Sequence, residues 1–233
     1  MRRWGAAVLA LCCWHGGAAR AQVSGSAAIV SDYLYRGVSY SRGDPAVQLN
    51  VSYDSAAGWY AGAFASSVKL YGASRGGAQY IIYAGHARRL SSGVYWDAGL
   101  SDYRFTGAAG FNYREIVAGL GIDNVSARIA YAPDYLGQGV RTVYAELNGS
   151  YPVRDGWNLF AHLGYLHPLS GGDVYAYAPA IESRADGRAG VGANLAGWKW
   201  QLAWDGVHVR RAPYAQGALR SRGGVVLSAT RPF

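Results

Sequence analysis

The chain has 233 residues, a formal net charge of +8, 33 glycines, 19 tyrosines and 8 tryptophans, but only 15% charged residues. Soluble domains carry about 25% charged residues, so this composition speaks against an ordinary soluble protein. Both cysteines, Cys12 and Cys13, lie near the N-terminus, which excludes disulfides and thiolate metal sites from the rest of the chain. The positive charge is dispersed, so we expect no nucleic-acid partner.

The N-terminus has the pattern of a secretory signal peptide over residues 1–21. Arg2 and Arg3 precede a short apolar stretch, and Ala19-Arg20-Ala21 forms a small-x-small cleavage site. The apolar stretch is shorter than the ~20 residues that a membrane-spanning helix needs, which disfavours a membrane anchor. We therefore expect an exported protein whose mature part, residues 22–233, forms a single domain.

Alternation of apolar and polar residues predicts β-strands with two chemically different faces along most of the mature chain. The first strand is predicted at about 23–33, the sixth at about 111–121 and the last at about 222–233. The clearest alternating segments are AVQLNVSY, VYWDAGLS, NVSARIAY, VYAELNGSY, WNLFAHLGY and WKWQLAWD. Together with less regular stretches between them, the pattern predicts about twelve strands.

The connections between the predicted strands alternate in length. Short turns are predicted near residues 55–58, 88–93, 123–124, 152–156 and 196–197. Longer loops are predicted near residues 36–45, 69–77, 104–110, 134–139, 168–180 and 210–222. Short turns at one end and long loops at the other are typical of an all-β, up-and-down transmembrane barrel with short periplasmic turns and longer extracellular loops.

Aromatic residues at both ends of the predicted strands favour a membrane barrel over a soluble one. One group lies beside the short turns: Tyr53, Trp59, Trp96, Tyr151, Trp157 and Trp198. A second group lies near the long loops: Tyr71, Tyr103, Phe105, Phe111, Tyr113, Tyr135 and Tyr165. We expect both groups to face lipid and to form girdles at the two membrane interfaces.

The opposite strand faces carry charged and polar residues that an apolar soluble core would bury at a high cost. In a membrane barrel these residues would line a water-filled lumen. In the first long loop, Tyr35 and Arg36 either belong to a structured loop held by its aromatics or point into the pore as a constriction. The pore-lining candidates are Tyr35, Arg36, Asp97, Glu115, Arg128, Glu146, His162, Arg184, Asp186, Arg188, Lys199 and Asp205.

The last segment, GGVVLSATRPF, ends on Phe233 in register with Val225 and Leu227. Outer-membrane barrels characteristically end in an aromatic residue that their assembly machinery recognises. We therefore expect the barrel assembly machinery as a partner, together with outer-membrane lipid and lipopolysaccharide. Arg231 and Pro232 interrupt the apolar-polar pattern, so we expect the closure of the barrel to fray there.

Two segments and the C-terminus resemble one family. SGSAAIVSDYLYRGVSYSRGDPAVQLNVSYD, followed by GWYAGAFASSV, and the ending VVLSATRPF are similar to the TorF-type porins, proteobacterial outer-membrane proteins of unknown function. The specific part of the resemblance comprises Ser31, Asp32, Tyr33, Arg36, Gly37, Ser39, Pro45 and Ala46. The resemblance implies location in the cell outer membrane and passive transport.

We expect a porin-like channel for passive diffusion of small solutes or ions, with no cofactor and no metal. One alternative is a non-conducting structural or surface-binding barrel whose lumen charges pair into a plug. A second alternative is a lipid-modifying enzyme, but no histidine is followed by the Ser-Asn-Gly arrangement of the outer-membrane phospholipase, so we expect no enzyme activity. Arg42-Gly43-Asp44 is interpreted as turn chemistry before Pro45 rather than as an adhesion signal.

Overall fold

The structure is a computed structural model that describes residues 21–70, 76–169, 181–209 and 222–233. The predicted signal peptide lies outside the described residues except for Ala21. The predicted long loops at 69–77, 168–180 and 210–222 lie partly or wholly outside them, as does Tyr71. Within the described ranges, no helix is long and apolar enough to cross a bilayer.

Twelve antiparallel strands form a closed barrel in which each strand pairs with its neighbours along the chain, and the first strand pairs with the last. The predicted fold class and strand number are confirmed. The barrel strands are β1 Gln22–Val30, β4 Ala46–Asp54, β5 Trp59–Val68, β6 Gly77–Arg89, β7 Tyr95–Phe105, β8 Tyr113–Ile122, β9 Val125–Ala132, β10 Thr142–Arg154, β11 Trp157–Pro168, β12 Arg184–Leu195, β13 Trp198–Val209 and β14 Arg222–Pro232.

In the described residues, four smaller elements lie in the connections at one end of the barrel. The strands β2, Leu34–Tyr35, and β3, Val38–Ser39, form a separate hairpin between β1 and β4. Two single-turn 3-10 helices span Ala109–Phe111 and Tyr135–Gly137. We call this end of the barrel the long-loop end and the opposite end, with its tight turns, the short-turn end.

The strands bury their polar side and expose their apolar side, which is the reverse of a soluble barrel. In β8, Tyr113, Glu115 and Val117 are buried inside, whereas Ile116 and Leu120 are 56% and 59% exposed outside. The same outward apolar exposure runs round the barrel at Leu49, Ile82, Leu100, Ile129, Leu147, Leu163, Leu202 and Leu227. Such a continuous apolar band suits a surface in contact with lipid.

The barrel closes through the last residue of the chain, so the prediction that its closure frays at Arg231 and Pro232 is wrong. Phe233 and Gly25 exchange two backbone hydrogen bonds of 3.1 and 3.0 Å. Pro232 lies opposite Ser26, in the next pair of the ladder. Pairs in an antiparallel ladder alternate between hydrogen-bonded and non-hydrogen-bonded. Since Phe233 and Gly25 form a hydrogen-bonded pair, Pro232 and Ser26 form a non-hydrogen-bonded one. The missing N–H group of Pro232 therefore costs no hydrogen bond to β1.

The two predicted aromatic girdles have different outcomes. Near the short turns, Tyr53, Trp59 and Tyr151 are exposed on the outer surface as expected, at 45%, 63% and 69%. Near the long loops the prediction is largely wrong, because most of these aromatic side chains are buried inside the barrel. The buried ones are Tyr103, Phe105, Tyr113 and Tyr135, whereas Tyr165 is exposed as predicted.

Strand geometry explains this correction. Side chains two residues apart share a face, so Tyr103 and Phe105 follow Asp97 inward and Tyr113 follows Glu115. Their nearness to the strand ends therefore does not decide their direction. The position of Tyr135 in a 3-10 turn has no such periodicity, and its burial depends on the tertiary structure.

Candidate functional site

The first long connection, residues 31–45, forms a hairpin at its centre, and we call this connection loop 1. Tyr35 pairs with Val38, which leaves Arg36 and Gly37 as the two turn residues. Their φ angles are +50° and +74°. Positive φ at both central residues is characteristic of the type I′ turn, which matches the twist of a two-residue β-hairpin. Arg36 therefore lies at the tip of a compact projection.

The hairpin of loop 1 lies inside the barrel rather than above it. Tyr33, Tyr35 and Tyr40 are only 4%, 6% and 5% exposed. The Tyr33 hydroxyl donates to Gln79 Oε1 on β6 at 2.6 Å. A side chain at Gly37 would collide with Val207 and Asp186, which shows that the tip also packs against β12 and β13. Loop 1 therefore reaches across the lumen from one wall to another.

A bidentate ion pair holds the tip of loop 1 to β8. Arg36 Nη1 donates to Glu115 Oε1 at 2.6 Å, and Arg36 Nη2 donates to Glu115 Oε2 at 2.8 Å. The two side chains are 7% and 1% exposed. Four strands, β4 to β7, separate β1 from β8 in one direction round the barrel and six in the other. The charge-assisted pair thus joins loop 1 to the far wall.

Aromatic rings and a second arginine complete the contacts of Arg36. Its guanidinium carbon lies 4.2 Å from the centre of the Tyr144 ring and 5.0 Å from that of Tyr35, distances typical of cation–π contacts. Arg184 Nε donates to the Arg36 carbonyl at 3.1 Å, and Arg184 Nη2 donates to the Tyr135 hydroxyl at 3.0 Å. Both the backbone and the side chain of Arg36 are therefore held.

The tyrosine hydroxyls around Glu115 extend this network. The Tyr103 hydroxyl donates to Glu115 Oε2 at 2.9 Å, and the Tyr35 hydroxyl donates to the Tyr103 hydroxyl at 3.0 Å. Burial raises the pKa of Tyr33 and Tyr35 above the usual range of a phenol. These two loop 1 hydroxyls therefore stay neutral at physiological pH and act as hydrogen-bond donors.

The base of loop 1 is organised by Asp32. Its Oδ1 accepts hydrogen bonds from the hydroxyls of Ser39 at 2.5 Å and Ser41 at 2.8 Å, and from the backbone N–H of Gly43 at 3.3 Å. The Tyr33 N–H donates to the Ser41 hydroxyl at 2.9 Å. This network accounts for the specific pattern of polar residues in loop 1, because it closes the two arms of the loop on each other.

The tripeptide Arg42-Gly43-Asp44 belongs to this base. Arg42 and Gly43 have φ angles of +61° and +81°, as the interpretation as a turn requires. Arg42 donates to the Leu70 carbonyl, and Asp44 accepts from Lys69 Nζ at 2.7 Å. The tripeptide thus ties loop 1 to the end of β5.

A second polar cluster lies below the tip of loop 1, between β10 and β12. The Tyr144 hydroxyl donates to Asp186 Oδ1 at 3.1 Å and lies 3.1 Å from His162 Nε2. His162 Nε2 is 3.0 Å from Asp186 Oδ1, and His162 Nδ1 is 2.7 Å from Asn148 Oδ1. The cluster connects three neighbouring strands across their inner faces.

All ten pore-lining candidates predicted on strands lie on the inner face of the barrel. Three pairs bring six of them together: Asp97 with Arg128 at 3.0 Å, His162 with Asp186 at 3.0 Å, and Arg188 with Asp205 at 3.6 Å. Glu115 and Arg184 meet Arg36, as described above. Glu146 accepts a hydrogen bond from Asn148, and Lys199 lies near the short-turn end.

The sequence analysis missed several residues of this site. Tyr103 and Tyr144 share strand faces with Asp97 and Glu146, so their parity alone could have identified them as lumen residues. Gln79 is fully buried against Tyr33, in a segment whose apolar residues on both faces obscured its register. Tyr135 carried no periodic signal at all, since it lies in a loop.

The two halves of the lumen differ in composition and packing. Towards the long-loop end, aromatic side chains of loop 1, β7 and β8 pack together, and the rings of Tyr103 and Tyr113 stack at 4.3 Å. Towards the short-turn end several polar side chains of the inner face are only half-buried, although Ser52 and Asp97 are buried there. The half-buried ones are Ser126, Ser150, Asn158, Lys199 and Gln201. Across the described residues, no three His, Cys, Asp or Glu side chains gather as a metal site.

A family model matches residues 15–219, which include nearly the whole barrel. The chain belongs to Gcw_chp, a bacterial protein family of unknown function. The resemblance to TorF-type porins predicted a bacterial family of unknown function, and the family model agrees with that part. The more specific assignment of this Gcw_chp protein to the TorF type stays a prediction. No curated protein sequence matches the chain.

Two solved structures share the fold of this Gcw_chp protein. The NanC porin is 11% identical with a TM-score of 0.57, and the similarity covers 90% of this chain and 99% of that one. The KdgM porin is 11% identical with a TM-score of 0.54, covering 90% of this chain and 98% of that one. The Gcw_chp chain therefore shares the barrel architecture of these two porins.

Proposed function

We propose that this protein is a narrow outer-membrane channel for small solutes or ions, and that loop 1 forms its constriction. The single observation that carries the proposal is the buried Arg36–Glu115 pair, which holds loop 1 across the barrel. Rings of charged side chains at a narrow point are a usual means by which channels select solutes by size and charge. The proposal makes Tyr35 and Arg36 part of a constriction rather than of a passive surface loop.

The division of the lumen supports a channel with one narrow section. The half-buried serine, asparagine, lysine and glutamine side chains towards the short-turn end suit a water-filled vestibule. Loop 1, in contrast, is an insertion whose hairpin pairs only with itself. Its tip is held by side-chain contacts and not by the barrel ladder, so it can move while the wall stays intact.

The similar solved structures add support of a general kind, because both carry the word porin in their names. We propose passive diffusion, with long loops at the cell surface and short turns in the periplasm. We also propose that the exported chain loses residues 1–21, and that the barrel assembly machinery recognises the strand that ends at Phe233.

Planar-bilayer recording tests the channel directly. The refolded wild-type barrel should show discrete conductance steps, and Arg36→Ala combined with Tyr35→Ala should increase the conductance because the tip of the constriction loses two large side chains. Arg42→Ala, in the base of the same loop, is the matched control and should leave the conductance unchanged. Absence of any conductance in both the wild type and the double variant, with the barrel folded, would contradict the proposal.

A non-conducting barrel is the second candidate, and one observation favours it. The side chains around the loop 1 tip pair with one another and are almost completely buried, as a solid plug would be. The same recording separates the candidates: a plug predicts that the wild type does not conduct and that the double variant does. A surface-binding barrel predicts no conductance in either.

The proposal includes no chemical step on lipid or solute. His162 has acidic, amide and phenolic neighbours but no serine, threonine or cysteine nucleophile among its hydrogen-bond partners. The purified barrel should therefore leave phospholipid and lipopolysaccharide intact. Release of fatty acid from mixed vesicles, abolished by His162→Ala, would overturn this part of the proposal in favour of the lipid-modifying alternative.

A further inference from the structure

An ionic cluster lies on the outer surface of the barrel, away from the lumen. Arg104 Nε donates to Asp102 Oδ2 at 2.6 Å, and Arg104 Nη2 donates to Asp102 Oδ1 at 3.1 Å. From the neighbouring strand, Arg114 Nε donates to Asp102 Oδ1 at 2.9 Å. One carboxylate thus holds two guanidinium groups side by side, and the cluster carries one net positive charge.

The direction of these side chains follows from their neighbours. Tyr103 and Phe105 are buried in the lumen, so Asp102 and Arg104 point outward from β7. The Arg114 side chain is 75% exposed and that of Arg104 is 48% exposed. Both groups can therefore reach a ligand at the surface of the barrel near its long-loop end.

The cluster directly adjoins the apolar band. Asp102 pairs with Arg114, and Leu100 pairs with Ile116 in the next row of outward side chains. Leu100 and Ile116 are 62% and 56% exposed. Two residues along a strand span about 7 Å, so the charged groups lie about 7 Å from side chains at the level of hydrocarbon. This spacing suits a ligand that has an anionic head and apolar chains.

We propose that this surface binds a phosphate of the outer-leaflet glycolipid, the lipid A part of lipopolysaccharide. The two arginines supply the positive charge and the directed N–H donors that phosphate oxygens accept. Leu100 and Ile116 lie where its acyl chains would run. An unbalanced positive charge beside hydrocarbon is unfavourable, and a phosphate at this position neutralises it. The site is separate from the lumen and does not depend on conductance.

Binding of purified lipid A to the intact, folded barrel tests the site. Native mass spectrometry from neutral detergent would compare bis-phosphorylated lipid A, the same lipid without phosphates, and inorganic phosphate as a competitor. The test variant is Arg104→Gln with Arg114→Gln. The matched control is Arg88→Gln with Arg154→Gln, which removes two exposed arginines at the short-turn end and leaves the same net charge. Heat-modifiable gel migration confirms that each barrel is folded.

The wild type and the control should bind bis-phosphorylated lipid A equally, and the test variant about tenfold more weakly, as expected for losing charged hydrogen bonds. Removing the phosphates should weaken binding to the wild type but not to the test variant. Equal binding by all three proteins, or equal binding of the two lipids by the wild type, would overturn the proposal. Displacement of the lipid by millimolar inorganic phosphate would also overturn the proposal, because it would show that the two arginines bind anions without specificity for the lipid.

Discussion

The two halves of the lumen use the same strands for different purposes. Towards the long-loop end, loop 1 packs aromatic and charged groups into a region in which Glu115 is 1% exposed. Near the middle of β10, away from loop 1, Glu146 and Asn148 lie on the same kind of inner face but are only half-buried. The comparison indicates that loop 1 adds to the burial of the lumen residues that it contacts, beyond what the strand pattern alone provides. Identical substitutions in the two halves should therefore have unequal effects.

The largest difference is expected in the rate of proteolysis of loop 1, between Glu115→Ala and Glu146→Ala. Removing Glu115 leaves Arg36 buried without its partner, a change that costs about 3–5 kcal/mol. Loop 1 should then leave its site, and cleavage by trypsin after Arg36 should accelerate by a factor of about 100 to 4,000.

Glu146→Ala is the control for this prediction and should leave cleavage after Arg36 at the wild-type rate, because Glu146 does not contact loop 1 in any hydrogen bond or ion pair described above. Cleavage can be followed by mass spectrometry of intact barrels. Equal rates in the two variants would mean that the Arg36–Glu115 pair does not hold the loop.

Two glycines of loop 1 provide a second, smaller contrast. Gly37 and Gly43 both have positive φ, so alanine at either position costs about 1 kcal/mol in backbone strain. Only Gly37 is packed, against Val207 and Asp186, whereas the space beside Gly43 is open.

Overpacking typically costs about 1–3 kcal/mol. Gly37→Ala should therefore destabilise the barrel by about that much more than Gly43→Ala. Urea unfolding in lipid vesicles, followed by tryptophan fluorescence, measures both. Equal destabilisation would show that the tip of loop 1 does not pack against β12 and β13 in the membrane.

Removal of single tyrosine hydroxyls should have smaller effects. Tyr144→Phe loses the hydrogen bond to Asp186 and should lower the free energy of unfolding by about 1 kcal/mol. The same urea titration of the wild type and the variant measures this loss. An unchanged free energy of unfolding would mean that the Tyr144 hydroxyl does not stabilise the polar cluster.

The smallest effect is expected outside the lumen, at Asp44. Its ion pair with Lys69 is exposed, with both side chains more than half accessible, so Asp44→Ala should change the free energy of unfolding by less than about 0.5 kcal/mol. Cell attachment to the purified barrel should also be unchanged by this substitution, if Arg42-Gly43-Asp44 serves only as a turn. Loss of attachment would support an adhesion role.

Much of the site could be predicted because strand geometry is local. Successive side chains point to opposite faces, so the alternating segments placed Asp97, Arg128 and Glu146 inside without any knowledge of the fold. The same rule would have placed Tyr103 inside. The prediction that it faced lipid came from nearness to a strand end, which carries no information about direction.

The sequence by itself determined the strands, their two faces and the closed barrel, because each depends on the period of two and on the lengths of the connections. Only the tertiary structure decided that loop 1 enters the lumen. The contact between Arg36 and Glu115 joins residues 79 positions apart, and the contact between Arg184 and Arg36 joins residues 148 apart. No local pattern specifies such pairs, since they form only when barrel closure brings opposite walls within reach of one hairpin.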